Sequence, residues 1–387
     1  MYYKKHVEKL VDSGSLRRFR PLADRNLARV SFQGATMLNM TSNDYLGIAG
    51  NKIIHQDFYN SLTEENILEN YGLGAASSRL LTGDNFSSHA LEQLICQEYR
   101  KPACLLFNSG YHANIGILPA LAGKNDLILS DKLNHASIHD SLRLSRADFK
   151  RFRHTDYDHL TVLLQKYRSK YERVFIVTES VFSMDGDEAN LSKLVELKNK
   201  YDCLLYVDEA HAVGVFGHKG LGKVEEMAVI DQVDLIVGTF GKAFASVGAY
   251  VVCSKEIVDY LVNFSRSLIF TTALPPVVTH WNRYIFKRIL EMFAERKALM
   301  DLSSRLRRKL LDLGLKTGGN TNIIPVIIGD NLKAVQMAEK MREHGYLIFA
   351  VRPPTVPEGT ARFRLSVTAV MDWDDIADLP SLIKKLM

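Results

Sequence analysis

Short apolar runs rich in Val, Ile and Leu recur through the middle of the chain, separated by polar-rich segments of helix length. They begin at Cys104 (CLLF), Leu127 (LIL), Phe149 (FKRF), Val174 (VFIV), Cys203 (CLLYV), Leu235 (LIVG) and Ala249 (AYVVC). Most of the steps between them suit strand–helix–strand units of about 30 residues or slightly less. Runs that are apolar on both faces are what a parallel sheet covered by helices on each side requires. The last step, from Leu235 to Ala249, is too short for a parallel crossover, which needs roughly a dozen connecting residues or more. Ala249–Cys253 is therefore expected to run antiparallel to its neighbours. The pattern predicts an α/β domain built on a seven-stranded, mostly parallel sheet with one antiparallel strand.

The pattern changes after about residue 275. Pro275-Pro276 precedes a long amphipathic stretch from Trp281 to Leu313, which ends at Gly314. An apolar run at Ile323–Ile328, a helix-like stretch from Leu332 to Gly345, and runs at Tyr346–Val351 and Arg362–Val367 complete the chain. Two-period runs alternating with one helix predict a smaller α+β domain. The expected organisation is an N-terminal arm over 1–45, a large α/β domain over 46–280 and a small α+β domain over 281–387. A long helix shared by the two domains is expected at their junction.

Charge sharpens the first of these regions. The chain carries 49 Lys+Arg and 44 Asp+Glu, a formal net charge of +5. Residues 1–29 contain Lys4, Lys5, Lys9, Arg17, Arg18, Arg20, Arg25 and Arg29 against only Glu8, Asp12 and Asp24. The whole surplus therefore lies in a basic arm, and the body of the protein is neutral. A nucleic-acid binder would need a basic face on the folded domain, so nucleic acid is not an expected partner. No apolar run reaches the ~18 residues of a membrane-spanning helix, and the N-terminus lacks the apolar core of a secretory signal. Cys96, Cys104, Cys203 and Cys253 show no C-x-x-C spacing. Neither a disulfide framework nor a metal site is expected, and a cytoplasmic location fits.

In doubly wound sheets ligands bind at the carboxyl ends of the strands. The residues following each apolar run there are polar and ionisable: Asn108-Ser109-Gly110-Tyr111, Asn134-His135, Glu179 with Ser183, Asp208-Glu209-Ala210-His211 and Thr239-Phe240-Gly241-Lys242. Asp208-Glu209-Ala210-His211 looks like the Mg²⁺-binding strand of a helicase-type ATPase. That reading needs an earlier phosphate loop ending in Lys-Ser or Lys-Thr. The nearest candidate, Gly217 to Lys223, is followed by Val224 and lies after the acidic motif, so the reading fails. A pyridoxal phosphate site fits better, because that cofactor needs a Schiff-base lysine, a carboxylate at the pyridine nitrogen and donors for its phosphate. Asp208 at one strand end and Lys242 at the next supply the first two. Ser109-Gly110-Tyr111, opening a helix, offers backbone N–H groups to the phosphate, and His135 can stack on the ring.

At these residues the sequence resembles the α-oxoamine synthases, pyridoxal phosphate enzymes of fold type I, the aspartate aminotransferase-like transferase fold. The resemblance runs from about residue 16 to 370. It includes Ser42-Asn43-Asp44-Tyr45-Leu46-Gly47, Ser78-Arg79 with Thr82-Gly83, His89 before Leu91-Glu92, Asn134-His135-Ala136-Ser137 and Val181 to Asp187. It continues through Asp208 to His211, Thr239 to Lys242, Arg352 to Pro357 and Gly359 to Arg362. Members join an amino acid to an acyl thioester with loss of carbon dioxide. The double proline after Arg352, and Leu16-Arg17-Arg18 before Pro21, resemble the members that use L-alanine and a pimeloyl thioester, on coenzyme A or on acyl carrier protein. Members using glycine or serine are the alternative, and a plain aminotransferase would lack the acyl-recognition segments.

The resemblance implies roles residue by residue. Lys242 would hold the cofactor and then take the α-proton, and His135 would stack on the ring and assist at the thioester. Asp208 would pair with the pyridine nitrogen, His211 with the phenolic oxygen, and Ser183 with the ring region. Ser109, Gly110, Tyr111 and Thr239 would bind the phosphate. In the implied homodimer Thr271 and Thr272 would reach the partner's cofactor. Arg352 would clamp the amino-acid carboxylate, Arg17 and Thr355 would meet the acyl substrate, and Asn43 would sit beside the amino acid. Ala75-Ala76 and Val370-Met371 depart from the family pattern, which bears on substrate fit.

Overall fold

Residues 2–50 form one helix and three strands of four or five residues. The computed structural model describes residues 2–387. Its first element is the helix Tyr2–Asp12, in which no residue is buried. β1 (Ala23–Asn26), β2 (Arg29–Phe32) and β3 (Ala35–Asn39) follow as antiparallel neighbours. Between β2 and β3 both turn residues, Gln33 and Gly34, have positive φ (52° and 82°), the conformation that matches the twist of a two-residue hairpin. Val30, Phe32 and Met37 bury together with Leu347.

The apolar runs of the middle region are strands: β4 (Ala103–Phe107), β5 (Leu127–Asp131), β6 (Asp148–Phe152), β7 (Val174–Glu179), β8 (Leu204–Asp208), β9 (Leu235–Thr239) and β10 (Ala249–Cys253). They form one sheet in the order β4-β10-β9-β8-β7-β5-β6. β10 is antiparallel to both its neighbours, β9 and β4, while the other pairs are parallel. The antiparallel strand is thus the one that the short connection predicts. Every residue of β4, β5, β7, β9 and β10 is buried, the pattern of strands covered on both faces. At the edge, β6 buries only Phe152 of Asp-Phe-Lys-Arg-Phe, and its charges discourage pairing with another chain. Ile117, Leu118, Ile138, Val177, Tyr206, Val237 and Val251 share one core cluster. Each fully buried aliphatic side chain of this kind contributes about 1.5–3 kcal/mol.

The later strands are β11 (Ile323–Gly329), β12 (Tyr346–Leu347), β13 (Ala350–Val351) and β14 (Ala361–Ser366). β11, β14 and β13 form a three-stranded antiparallel sheet, and β12 pairs parallel with β3. This pairing ties the N-terminal segment to the C-terminal one.

The chain divides into two compact units. One comprises 1–52, 183–187 and 294–387; the other comprises 53–182 and 188–293. Sequence patterning had set its limits at 45 and 280, and it could not see that β3 pairs with β12 or that 183–187 leaves the larger unit. The expected continuous helix is corrected: the stretch forms two helices, Pro276–Glu291 and Phe293–Asp312. Met292 between them has ψ 43°, which breaks the helical path although the apolar spacing continues on both sides. Among the described residues no helix is long and apolar enough to cross a membrane.

Candidate active site

Within the larger unit the carboxyl ends of the parallel strands gather most of the residues singled out in sequence. After β4, Ser109 caps the helix Gly110–Leu121: its Oγ accepts the His112 N–H at 3.2 Å. A helix start of this kind leaves backbone N–H groups free for an anion. A Cβ built on Gly110 would meet the Thr239 side chain at an ordinary contact distance of 3.8 Å, so the two positions face each other. Thr239 ends β9, and its Oγ1 donates to Gly248 O at 3.0 Å and accepts the Gly241 N–H at 3.2 Å. Tyr111 is partly exposed, and its hydroxyl donates to Asp140 Oδ2 at 2.7 Å. Asn108 Nδ2 donates to Thr271 Oγ1 at 3.2 Å and Thr272 O at 2.8 Å, which brings both threonines beside the same turn.

Asp208, at the end of β8, is 5 % exposed. Asn114 Nδ2 donates to its Oδ2 at 2.8 Å, and the Ala210 N–H to its Oδ1 at 2.9 Å. Lys242 lies in the nine-residue link between β9 and β10. Backbone bonds from Ala245 N–H to Lys242 O (2.9 Å) and from Phe240 N–H to Gly248 O (3.0 Å) hold that link in shape. His211 is buried nearby in the chain, after β8. His135 precedes the helix Ala136–Leu144, and its side chain caps it. Burial pushes its pKa down; Asp208 opposes that shift and Lys242 adds to it. The imidazole is therefore within electrostatic reach of both, and it is held neutral near pH 7.

Glu179, the register partner of Asp208 on the adjacent strand, was not assigned a role from sequence. Its carboxyl is buried with Asp208 beside it, and both effects push its pKa well up despite the Lys242 charge and the His135 N–H. Burial and the neighbouring acid both favour the neutral form of Glu179. The donor set therefore fits pyridoxal phosphate: an anion cradle at Ser109, Gly110 and Thr239, a fixed carboxylate at Asp208, an imidazole, and an amine on a braced loop.

The remaining candidates lie in the other unit. Arg17 Nη2 donates to Thr355 Oγ1 at 2.8 Å, so two residues far apart in sequence meet. Burial and the charges of Arg20 and Arg17 lower the pKa of Arg352, which places three cations in one neighbourhood. Asn43 accepts a hydrogen bond from Tyr45 OH at 3.2 Å, and Tyr45 OH in turn accepts from Arg364 Nη2 at 3.1 Å. Arg364 also donates to Ser183 O and, at 2.8 Å, to Ser366 Oγ. Arg364 was missed in sequence because Ala361-Arg362-Phe363-Arg364 reads as a strand with its arginines outward. All six residues of β14 are in fact buried. Arg364 is 7 % exposed and its three partners are neutral. A buried cation with no anion among its partners in the described residues can accept one from outside.

Comparison with known proteins agrees with this chemistry. A match to the aminotransferase class I and II family spans residues 35–381. The 8-amino-7-oxononanoate synthase of Chlorobaculum parvum is 48% identical over 372 residues, 95% of each chain. Among solved structures, a serine palmitoyltransferase from S. paucimobilis with bound PLP–myriocin aldimine superposes with a TM-score of 0.90. It is 27% identical, and the match covers 100% of this chain and 96% of that one. An 8-amino-7-oxononanoate synthase from Francisella tularensis gives a TM-score of 0.74 at 27% identity, covering 90% of this chain and 97% of that one.

Proposed function

Because the chain belongs to the aminotransferase class I and II family, in its α-oxoamine synthase branch, we propose that it condenses L-alanine with a pimeloyl thioester. The products are 8-amino-7-oxononanoate, carbon dioxide and the free thiol, in the cytosol and as a step toward biotin. The observation that carries this reading is the convergence of Asp208, Lys242 and His135 at one sheet edge, with the imidazole sensing both charges. The 48% identity to a synthase of that name supports the choice of substrates.

Bound pyridoxal phosphate contributes an aldehyde that links amines and a ring that takes up an electron pair. Ser109, Gly110, Tyr111 and Thr239 bind its phosphate. Asp208 would keep the pyridine nitrogen protonated, His211 would bond the phenolic oxygen, and Ser183 would meet the ring region. The Lys242 amine takes the α-proton of alanine. His135 would donate a hydrogen bond to the thioester carbonyl oxygen as the new C–C bond forms and the thiolate departs; once the carboxylate has left as carbon dioxide, the proton held on Lys242 would return to the carbon. We assign that carboxylate to Arg364, whose buried charge has only neutral partners, in preference to Arg352. Asn43 sits beside the amino acid. Arg352 joins Arg17 and Thr355 in receiving the acyl donor, and Thr271 and Thr272 serve the partner's site in a homodimer.

Two measurements test the reading. Borohydride reduction of the loaded protein should fix the cofactor to the peptide containing Lys242; an unmodified peptide would sink the mechanism. Alanine, glycine and serine are then offered separately with pimeloyl thioesters on coenzyme A and on carrier protein. Alanine is expected to give carbon dioxide and free thiol fastest. If glycine with a short acyl thioester wins, the substrate assignment is wrong and the family chemistry stands.

A further inference from the structure

Asn114 lies one turn into the helix Gly110–Leu121 and is 1 % exposed. Its amide nitrogen donates twice, to Asp208 Oδ2 at 2.8 Å and to Ser137 Oγ at 2.9 Å. Its oxygen accepts from the buried Tyr206 hydroxyl. The orientation of the amide is forced. Asp208, as the carboxylate proposed at the ring nitrogen, only accepts hydrogen bonds, so the NH₂ group must face it, and the oxygen is left for Tyr206.

Ser137, also 1 % exposed, carries the chain one step further. Its Oγ already accepts a proton from Asn114, so its own proton is free to go to His135 Nδ1, 2.8 Å away. The Ser137 backbone N–H points at the same nitrogen at 3.3 Å. A backbone N–H can only donate, so Nδ1 must be the bare nitrogen and the ring proton must sit on Nε2. Every donor and acceptor from Tyr206 to His135 is then used in one consistent direction.

We propose that Asn114 is a positioning residue that ties the Asp208 carboxylate to the His135 imidazole through Ser137 and fixes His135 as a donor through Nε2. The inference rests on the reading of Asp208 and His135 given above, and it adds to that reading the direction of the hydrogen bond that His135 offers. A histidine locked in this form serves a developing negative charge on a carbonyl oxygen; it does not serve as the base. The same amide keeps the acid at the ring nitrogen and the imidazole in one fixed relation.

The test is ¹⁵N NMR of the imidazoles in the full-length protein, with and without pyridoxal phosphate, the His135 signal being identified by its loss in His135→Asn. The wild type should show the Nε2–H form in both states. Ser137→Ala should move the Nδ1 resonance while leaving cofactor affinity within about twofold, because Ser137 does not touch Asp208. Asn114→Ala should move the same resonance and also weaken cofactor binding about tenfold, the usual scale for stripping a partner from a buried charge. An Nδ1–H form in the wild type, or a His135 signal indifferent to both substitutions, would overturn the proposal. If Asn114→Ala does not fold, the wild-type tautomer and Ser137→Ala still decide it. Failure of the wild type to bind the cofactor would instead remove the functional reading and leave the tautomer result standing.

Discussion

Glu209 follows the Asp208 carboxylate directly in sequence, yet it serves the scaffold. Its side chain accepts from the Ser180 hydroxyl and from the Lys223 and Val224 N–H groups at 3.1 and 2.8 Å, and so closes the loop before Val224. Burial pushes its pKa from 4.5 up to about 7, against the pull of those donors and the Lys223 charge. Between these two values the folded protein keeps a proton that the unfolded chain has lost. Stability is therefore greatest below pH 4.5 as far as this group is concerned, and it falls as pH rises toward 7, by at most about 3 kcal/mol. Glu209→Gln should flatten that slope and lower stability most at the acid end, where the wild-type acid is neutral, which urea midpoints between pH 4.5 and 7.5 would show. Asp44, raised to about 6 mainly by burial, adds its own slope at lower pH that the substitution leaves in place. The arginines make a second contrast at this scale. Arg364→Lys keeps the charge but loses the planar fork, and it should raise KM for alanine about 10- to 100-fold. Arg352→Lys should leave that KM within about twofold. Reversal of the two results would return the carboxylate to Arg352.

Among the elements, the helix Gly110–Leu121 has two duties that substitution can separate. Ser109→Ala removes the cap and should cost about 1 kcal/mol of stability. Ser109→Asp restores a capping oxygen but places a negative charge where a phosphate is to bind. Stability should be near wild type, and cofactor affinity should fall well below that of the alanine variant. Equal affinities would show that the phosphate lies elsewhere. The strands leading to this site were legible in the sequence because burial on both faces leaves few residue types available, and because nine residues between β9 and β10 cannot carry a parallel crossover. The break at Met292 was not legible: a backbone turn of one residue leaves the apolar spacing of the flanking helices intact. Arg364 was hidden for the opposite reason, since alternation along β14 suggests an exposed face that the fold in fact buries. Asn114 could not be read at all, because its meaning lies in three partners supplied by other segments.

At the scale of the whole molecule, the +5 charge of residues 1–29 acquires a location. The helix Tyr2–Asp12 is exposed throughout, with Lys4 paired to Glu8 at 4.0 Å, so the charges of Lys4, Lys5 and Lys9 act through solvent. Arg17 and Arg20 differ, because Arg17 bonds Thr355 and both lie near enough to Arg352 to depress its pKa. Three cations held together repel one another unless an anion arrives, and an acyl donor carrying phosphates or a terminal carboxylate is such an anion. The attraction is through partly exposed groups, so it must weaken as the Debye length shrinks from about 10 Å at 0.1 M salt to about 3 Å at 1 M. Arg17→Gln should therefore raise KM for the acyl donor about three- to tenfold at low ionic strength. The gap between variant and wild type should close as salt is added. Alanine carries no net charge and is assigned to a different arginine, so its KM should stay near the wild-type value at both extremes. Steady-state kinetics with each substrate varied at two salt concentrations reads all four quantities. A parallel rise in both KM values would mean that Arg17 braces the segment around Thr355 and does not itself meet the donor; a salt-independent rise confined to the donor would mean a hydrogen bond and not a field.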